Sequence, residues 1–321
     1  MLKPFFKLKT ALFILFVISI QFLNAQTDSI ATVNPMYKWI QTNKAGLDIS
    51  EVAFVNWNAG GSNSISALIN IVSVLNYSDF YYKWRNSARV RYGINKQQSQ
   101  KFRKTEDELE LISTFGFRQD TITNWYFSGR FNFKTQLTDG YNYPNRDNQI
   151  SRFMAPGYAF FGGGVEYGKN LDKFSIYFSP LTFKATFVLD EDLSNAGSFG
   201  VKPAVFDDNG NMIKSGERVR KEMGILFANS YETIVFENIN LRHQLSLYTD
   251  YLDHFGNIDV DFEIVFDFTV NQYVKATLGS HLRYDDNIKT LVATNTEGEF
   301  EEQGPKVQWK QILGVGVIVD F

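Results

Sequence analysis

Residues 307–321 read VQWKQILGVGVIVDF. Counting back from Phe321 in steps of two gives Val319, Val317, Val315 and Leu313, all apolar. The residues between include Asp320, Gly316, Gly314 and Lys310. An extended strand sends alternate side chains to opposite faces. This segment therefore has one greasy face and one face that is mostly polar or small.

The same two-residue period recurs upstream. It is cleanest in Asn257–Val270, where Ile258, Val260, Phe262, Ile264, Phe266 and Phe268 alternate with Asp259, Asp261, Glu263 and Asp267. Twelve strands are expected: Asp48–Trp57, Ile65–Leu75, Phe80–Asn95, Glu106–Arg118, Asn124–Leu137, Phe160–Tyr167, Phe174–Val188, Val219–Phe227, Glu237–Asp250, Asn257–Val270, Tyr273–Asp285 and Val307–Phe321. The pattern changes phase at Ser179-Pro180, and a bulge there would restore it, since proline is tolerated at bulges. A β-sandwich also alternates, but it hides its apolar faces inside. Strands mostly longer than ten residues and a terminal aromatic strand instead point to an all-β, antiparallel transmembrane barrel with a polar lumen.

The N-terminus and the connections agree with that expectation. Lys3, Lys7 and Lys9 precede an apolar run from Ala11 to Ile20, and Leu23-Asn24-Ala25 ends in a small residue. This is the layout of a signal peptide cleaved after Ala25. The run is shorter than the ~20 residues of a spanning helix. Residues 26–47 are then a periplasmic lead and 48–321 the barrel. Barrels of this class alternate short periplasmic turns with longer outer loops and have an even strand count. Outer loops are expected at 58–64, 96–105, 138–158, 189–217, 251–256 and 286–305. Inner turns are expected at 76–79, 119–123, 168–173, 230–233 and 271–272. Both termini then lie in the periplasm of a Gram-negative cell. The expected partners are outer-membrane lipid and the insertion machinery, which would read Leu313, Val315, Val317, Val319 and Phe321.

Composition excludes several classes. The chain contains no cysteine, so disulfides, thiolate metal sites and cysteine nucleophiles are ruled out. Removing 25 residues takes away three lysines and no acids, moving the net charge from −3 to −6. That balance argues against a nucleic-acid partner.

Five further stretches stand out: Phe54-Val-Asn-Trp57-Asn-Ala-Gly60-Gly61-Ser-Asn63-Ser64, Met154-Ala-Pro156-Gly157-Tyr158, Gly162-Gly-Gly164-Val-Glu-Tyr167, Ser179-Pro180-Leu181-Thr182-Phe-Lys184 and Phe199-Gly200-Val201. Together they resemble the motifs of an uncharacterised family of outer-membrane barrels from the Bacteroidota, known only as a domain of unknown function. The resemblance implies a fold and an address, and no activity.

Inward parity selects the functional candidates. They are Lys83, Arg85, Arg89 and Arg91 on the third strand, Glu108 and Glu110 on the fourth, and Arg130 on the fifth. Arg242 on the ninth follows, with Asp259, Asp261, Glu263 and Asp267 on the tenth, Lys275, His281 and Arg283 on the eleventh, and Lys310 on the twelfth. Opposite charges on neighbouring strands would pair along the ladder. The alternative is a basic wall facing an acidic wall along a narrow aqueous path. Gly162, Gly164, Gly314 and Gly316 also point inward, either to accept a neighbouring group or to leave room for a ligand or the N-terminal lead. Twelve strands fall between the ~8 that side chains can fill and the ~16 of open porins.

Enzyme chemistry finds little support. His243 has the outward parity, His254 sits in a loop, and Ser246 and Ser280 lie on the wrong faces to serve His243 and His281. Asp207-Asp-Asn-Gly-Asn211 resembles the start of a calcium loop, but Arg218 stands where the closing glutamate is needed. A hairpin turn between Val205-Phe206 and Met212-Ile213 is expected instead. No catalytic residue, metal or cofactor is assigned. The expected function is a narrow channel or small-solute transporter built as a monomer. The alternatives are a scaffold barrel that binds envelope partners and, less favoured, a lipid-modifying enzyme.

Overall fold

The computed structural model describes residues 38–53, 62–171, 173–253, 255–288, 290–293 and 300–321. The expected signal peptide, the expected lead as far as residue 37, the glycine-rich stretch 54–61 and His254 lie outside the described residues. Twelve strands form a closed antiparallel barrel. They are β1 (Lys38–Val52), β2 (Ser64–Ser78), β3 (Tyr82–Gln97), β4 (Arg103–Phe117), β5 (Trp125–Thr135), β6 (Gly157–Tyr167), β7 (Phe174–Phe187), β8 (Val219–Phe236), β9 (Ile239–Asp250), β10 (Asp259–Thr269), β11 (Val274–Tyr284) and β12 (Gln308–Asp320). Each strand pairs with its neighbours in sequence, and β12 closes on β1 through Lys44↔Asp320 to Ile49↔Val315. Closure leaves no free edge, which is how a sheet satisfies every backbone polar group without water.

Two boundaries differ from expectation. β1 begins at Lys38, so the last ten residues of the expected lead belong to the barrel. Its outward set is Trp39, Gln41, Asn43, Ala45, Leu47 and Ile49, and the two amides there break the apolar period. They are hydrogen-bonded in place: Gln41 donates to Asn43 Oδ1 at 3.3 Å, and Ser73 of β2 donates to the same oxygen at 2.8 Å. The expected turn at 230–233 is strand instead. β8 continues to Phe236 and turns at Glu237-Asn238. Ser230 and Glu232 look like turn residues, yet they continue the polar inner face opposite Gln244 and Arg242. The bulge at Ser179-Pro180 is present, with register shifts on both sides of β7.

The exterior is the inverse of a water-soluble protein. Leu313, Val315, Val317, Val319 and Phe321 are all exposed, as are Phe127, Phe161, Phe183 and Leu181. Contiguous apolar surface of this extent is not left in water. Aromatic rings gather where the strands meet their short turns. Trp39 lies 5.2 Å from Tyr77 and 5.8 Å from Trp84, and Trp125 lies 4.9 Å from Tyr167. Such a girdle marks the level where hydrocarbon gives way to polar headgroups.

The short turns are locked by side-chain caps. Asp79 accepts from the Tyr81 and Tyr82 amides, Asp120 from Ile122 and Thr123, and Asn271 from Tyr273 and Val274. At the opposite end two long loops, 136–156 and 188–218, pack into a cap. Its small core is Ala155, Val188, Leu193 and Val201 with Phe199. A short helix, α1 (Glu191–Asn195), is capped by Asp190, whose carboxylate accepts from the Leu193 amide and takes Arg152 Nη1 at 2.5 Å. The expected hairpin forms between Val205–Phe206 and Met212–Lys214, with Asp207 accepting from the Asn209 and Asn211 amides.

Candidate functional site: the barrel lumen

The inward residues assemble into a charged interior, paired both between neighbouring strands, as Arg89 with Glu110, Arg242 with Asp267 and Arg283 with Asp261, and across the lumen. Arg91 stands beside Glu108 in the β3–β4 register. Its guanidinium instead reaches across the barrel to Glu263 of β10, at 2.8 Å. Arg89 approaches the same carboxylate at 3.5 Å and Glu110 at 3.8 Å. Glu108 is met by Lys134 of β5 at 2.9 Å. Lys310 of β12 crosses to Glu106 of β4, with both carboxylate oxygens within 2.9 Å. The expected basic and acidic walls of β3 and β10 therefore face each other and join. Charges in a confined lumen lower their energy more by meeting an opposite charge at contact than by leaning toward a ladder neighbour.

This bridge divides the lumen. A chamber of about 490 Å³ is lined mainly by β3–β11, and a pocket of about 60 Å³ lies against β1, β2 and β9–β12. Arg89, Arg91, Glu263 and His281 line both. The large chamber also takes in Arg85, Glu108, Glu110, Arg130, Asp259, Asp261 and Arg283. The small pocket takes in Arg242, Asp267, Lys275 and Lys310. There Asp267 holds Arg242 at 2.7 Å, Thr277 at 3.0 Å and Lys275 at 3.6 Å. Lys83 lines neither space; its ammonium sits 5.8 Å from the centre of the Tyr126 ring near the short-turn end.

Near the long-loop end one cation ties three elements together. Lys184 of β7 contacts Asp259 of β10 at 2.8 Å, Glu222 of β8 at 3.4 Å and Asp285, just past β11, at 3.8 Å. Its ammonium also lies 5.0 Å from the Tyr248 ring and 5.9 Å from Phe160. Lys184 is not among the residues selected above, although it takes inward parity once the phase change at Ser179-Pro180 is allowed for. Glu166 escaped because it lies in a glycine-rich strand whose alternation is faint. It is buried, and it receives Arg85 and Ser175 as close hydrogen-bond partners. Lys134 and Glu106 share the parity of Arg130 and Glu108 and could have been found by extending those runs by two or four residues.

The four inward glycines serve strand approach. Beyond Gly162 stand the Thr182 and Ser179 hydroxyls, and beyond Gly164 stands the β7 backbone at Phe178. Gly314 and Gly316 make room for Asp48 of β1. The inner face of β6–β9 is partly apolar, with Phe160, Tyr177, Leu226, Ala228 and Tyr248 in mutual contact. Of the histidines, His243 faces outward between the rings of Tyr231 and Phe262. His281 Nε2 lies 2.7 Å from Asp261 Oδ1, and among the described residues no hydroxyl is hydrogen-bonded to it. Among the described residues no three acidic or histidine side chains are arranged to hold a metal.

A model of a protein family of unknown function, DUF3078, matches residues 49–141. No curated protein matches the chain. Among solved structures, the translocator domain of autotransporter NalP from Neisseria meningitidis is similar at 8% identity and a TM-score of 0.35, over 94% of each chain. The COG4313 outer membrane channel from Pseudomonas putida F1 is similar at 11% identity and a TM-score of 0.39, over 92% of this chain and 100% of that one. Likeness at this level leaves function to be argued from the lumen itself. Three of the motifs quoted above have structural work: Met154–Tyr158 and Phe199–Val201 build the cap, and Ser179–Lys184 makes the bulge.

Proposed function

We propose that the protein is an integral outer-membrane barrel whose lumen is a narrow path for small polar or charged solutes, held nearly shut at rest. The apolar exterior and its aromatic girdle support the membrane setting. The alternation of short turns with long loops supports a short-turn end, and with it both strand termini, on the periplasmic side. The basic, then apolar, N-terminal stretch supports export by a signal peptide cleaved after Ala25. The exposed apolar row of β12 suits recognition by the insertion machinery.

The observation that carries the lumen reading is the long chamber beside the Arg91–Glu263 bridge. Its lining reaches from Ser230 and Glu232 near the short turns to Asp259 and Asp285 near the long loops. Lys184 narrows its long-loop end. A bore lined by alternating charges and closed by movable side chains selects by field and size rather than by a fixed hole. Conductance across a planar bilayer tests this. The wild-type protein should give small, brief openings, and Lys184→Gln, which releases three carboxylates from their shared cation, should give larger and longer ones.

A second reading is a scaffold, favoured by the cap, which has its own apolar core and presents a firm face to an envelope partner. A bilayer that stays silent with both proteins defeats the channel and leaves the scaffold.

A further inference from the structure

We propose that the large chamber contains a binding subsite for a small organic monoanion, centred on Arg130 and Arg85 with an apolar wall beside it. The proposal rests on the lumen being reachable by solutes and names the class of solute this half of it takes.

The polar half of the subsite is one row of the barrel wall. Arg85, Thr114, Arg130 and Gly162 are successive register partners on β3, β4, β5 and β6. The cations in the chamber otherwise have carboxylate partners: Arg89 and Arg91 have Glu263, Lys134 has Glu108, Lys184 has Asp259 and Arg283 has Asp261. Arg130 differs. Among the described residues it makes no ion pair and no hydrogen bond, and its guanidinium rests 5.7 Å from the Tyr177 ring centre. Arg85 spends Nη2 on Glu166, while its Nη1 is buried without a partner. Among the described residues Glu166 is the carboxylate in contact with Arg85, and none is in contact with Arg130. Asn132 Oδ1, two positions along β5, is also buried without a partner.

The chamber as a whole does not attract anions, since it is lined by seven Arg and Lys residues against eight carboxylates. The attraction is local to this row. A guanidinium with free N–H groups in a confined space is a site for a planar oxyanion, which it can engage with two parallel hydrogen bonds. The apolar half lies alongside. Tyr177 under Arg130 is in contact with Leu226, Ala228 and Tyr248, and Leu226, Ala228, Tyr248 and Phe160 line the chamber. A cavity of ~300–1,000 Å³ with an apolar wall and few convergent donors is the usual form of a small-molecule site. The matching ligand is a monocarboxylate with a compact apolar body.

The probe is benzoate, with benzyl alcohol as its neutral counterpart and acetate as the anion without a ring. Binding is measured by saturation-transfer NMR and titration calorimetry on the full barrel in nanodiscs, with empty nanodiscs as blank. Benzoate should bind more tightly than either control. Arg130→Gln should weaken benzoate about tenfold to a hundredfold, as expected for loss of a charged hydrogen-bond partner. Arg130→Lys should retain part of the affinity, and Lys83→Gln, outside the chamber, all of it. Retention of the heat-modified gel shift shows that each variant is folded. No benzoate binding to the wild type, equal binding of benzyl alcohol, or unchanged benzoate binding by Arg130→Gln overturns the subsite. Benzoate binding with a silent bilayer keeps the subsite and defeats the channel; current without benzoate binding does the reverse.

Discussion

Asp48 on β1 lies directly opposite Gly316 on β12, and its carboxylate occupies the space where residue 316 would otherwise carry a side chain. The Asp48 Oδ1 atom is buried and has no hydrogen-bond partner among the described residues. The seam that closes the barrel therefore depends on two glycines and one inward acid.

Gly316 and Gly314 should respond differently to alanine. A Cβ at 316 would overlap Asp48 Oδ1 and the Leu47 carbonyl, a backbone atom that cannot swing away. At 314 the nearest atom is Asp48 Cβ at 3.4 Å, an ordinary contact. Gly316→Ala should lower barrel stability by about 1–3 kcal/mol, the usual cost of overpacking. Gly314→Ala should stay within roughly 0.5 kcal/mol of wild type, as for substitutions that disturb no close contact. Urea midpoints of the heat-modifiable gel shift compare them. Equal midpoints for the two variants would remove the seam argument.

The Lys310–Glu106 bridge should show coupling. Removing Glu106 leaves the Lys310 ammonium without its carboxylate, and removing Lys310 leaves Glu106, among the described residues, with only Arg91, 3.9 Å away, whereas removing both leaves neither group stranded. In a cycle of Lys310→Met, Glu106→Gln and the double variant, the double should be more stable than the sum of the singles predicts. A coupling of ~0.5–3 kcal/mol is expected for residues in direct contact. Additive single-variant losses would mean that the two side chains do not hold β4 and β12 together.

Acid should loosen the loop cap before the barrel. Burial pushes the Asp190 carboxyl upward, but the hydrogen bond from Arg152 and the Leu193 amide outweigh it and hold the group below its ordinary value of 3.8. A carboxylate depressed in the folded state contributes stability above its unfolded value, and loses it as pH falls through the folded value. The cap should therefore be intact at pH 5 and lose protection at Leu193 and Ser194 below about pH 3.8. Hydrogen exchange corrected for intrinsic rates reads this. Asp190→Ala should show the open pattern already at neutral pH, with a loss of ~1 kcal/mol typical of a missing N-cap.

Most of the fold was legible because alternation is imposed by the pleat itself. β10, with five outward apolar residues against four inward acids, reads plainly as a strand. Legibility failed where another constraint overrode the period. Gln41 and Asn43 satisfy each other and Ser73 on the outer face, so β1 lost its signal. Ser230 to Thr233 have turn-like chemistry, yet the inner face needed Ser230 and Glu232 as polar lining. The site was legible as a set of inward charges and, on β9–β11, as the pairs of Asp267 with Arg242 and Lys275 and of Asp261 with Arg283, but not in its contacts across the lumen. Ladder neighbours are fixed by register, whereas the partner across a lumen depends on tilt, side-chain length and which cations have already been taken.

The carboxylates around Lys184 should set the ion preference of any current. With the lysine neutralised, Asp259 and Asp285 line the chamber with Glu222 of the same cluster behind them, and among the described residues the cation still in ion-pair contact with the three is Arg220, 3.6 Å from Glu222. Unpaired acids in a narrow, poorly screened bore attract cations over a distance of about a Debye length. Under a tenfold KCl gradient, Lys184→Gln should move the reversal potential toward the potassium equilibrium value by about 20 mV or more, against ~59 mV for ideal selectivity. Adding Asp259→Asn and Asp285→Asn to the same protein should return it most of the way to zero. A Lys184→Gln current with no cation preference would place the conducting path elsewhere than past this cluster, on the β1–β2 side of the Arg91–Glu263 bridge.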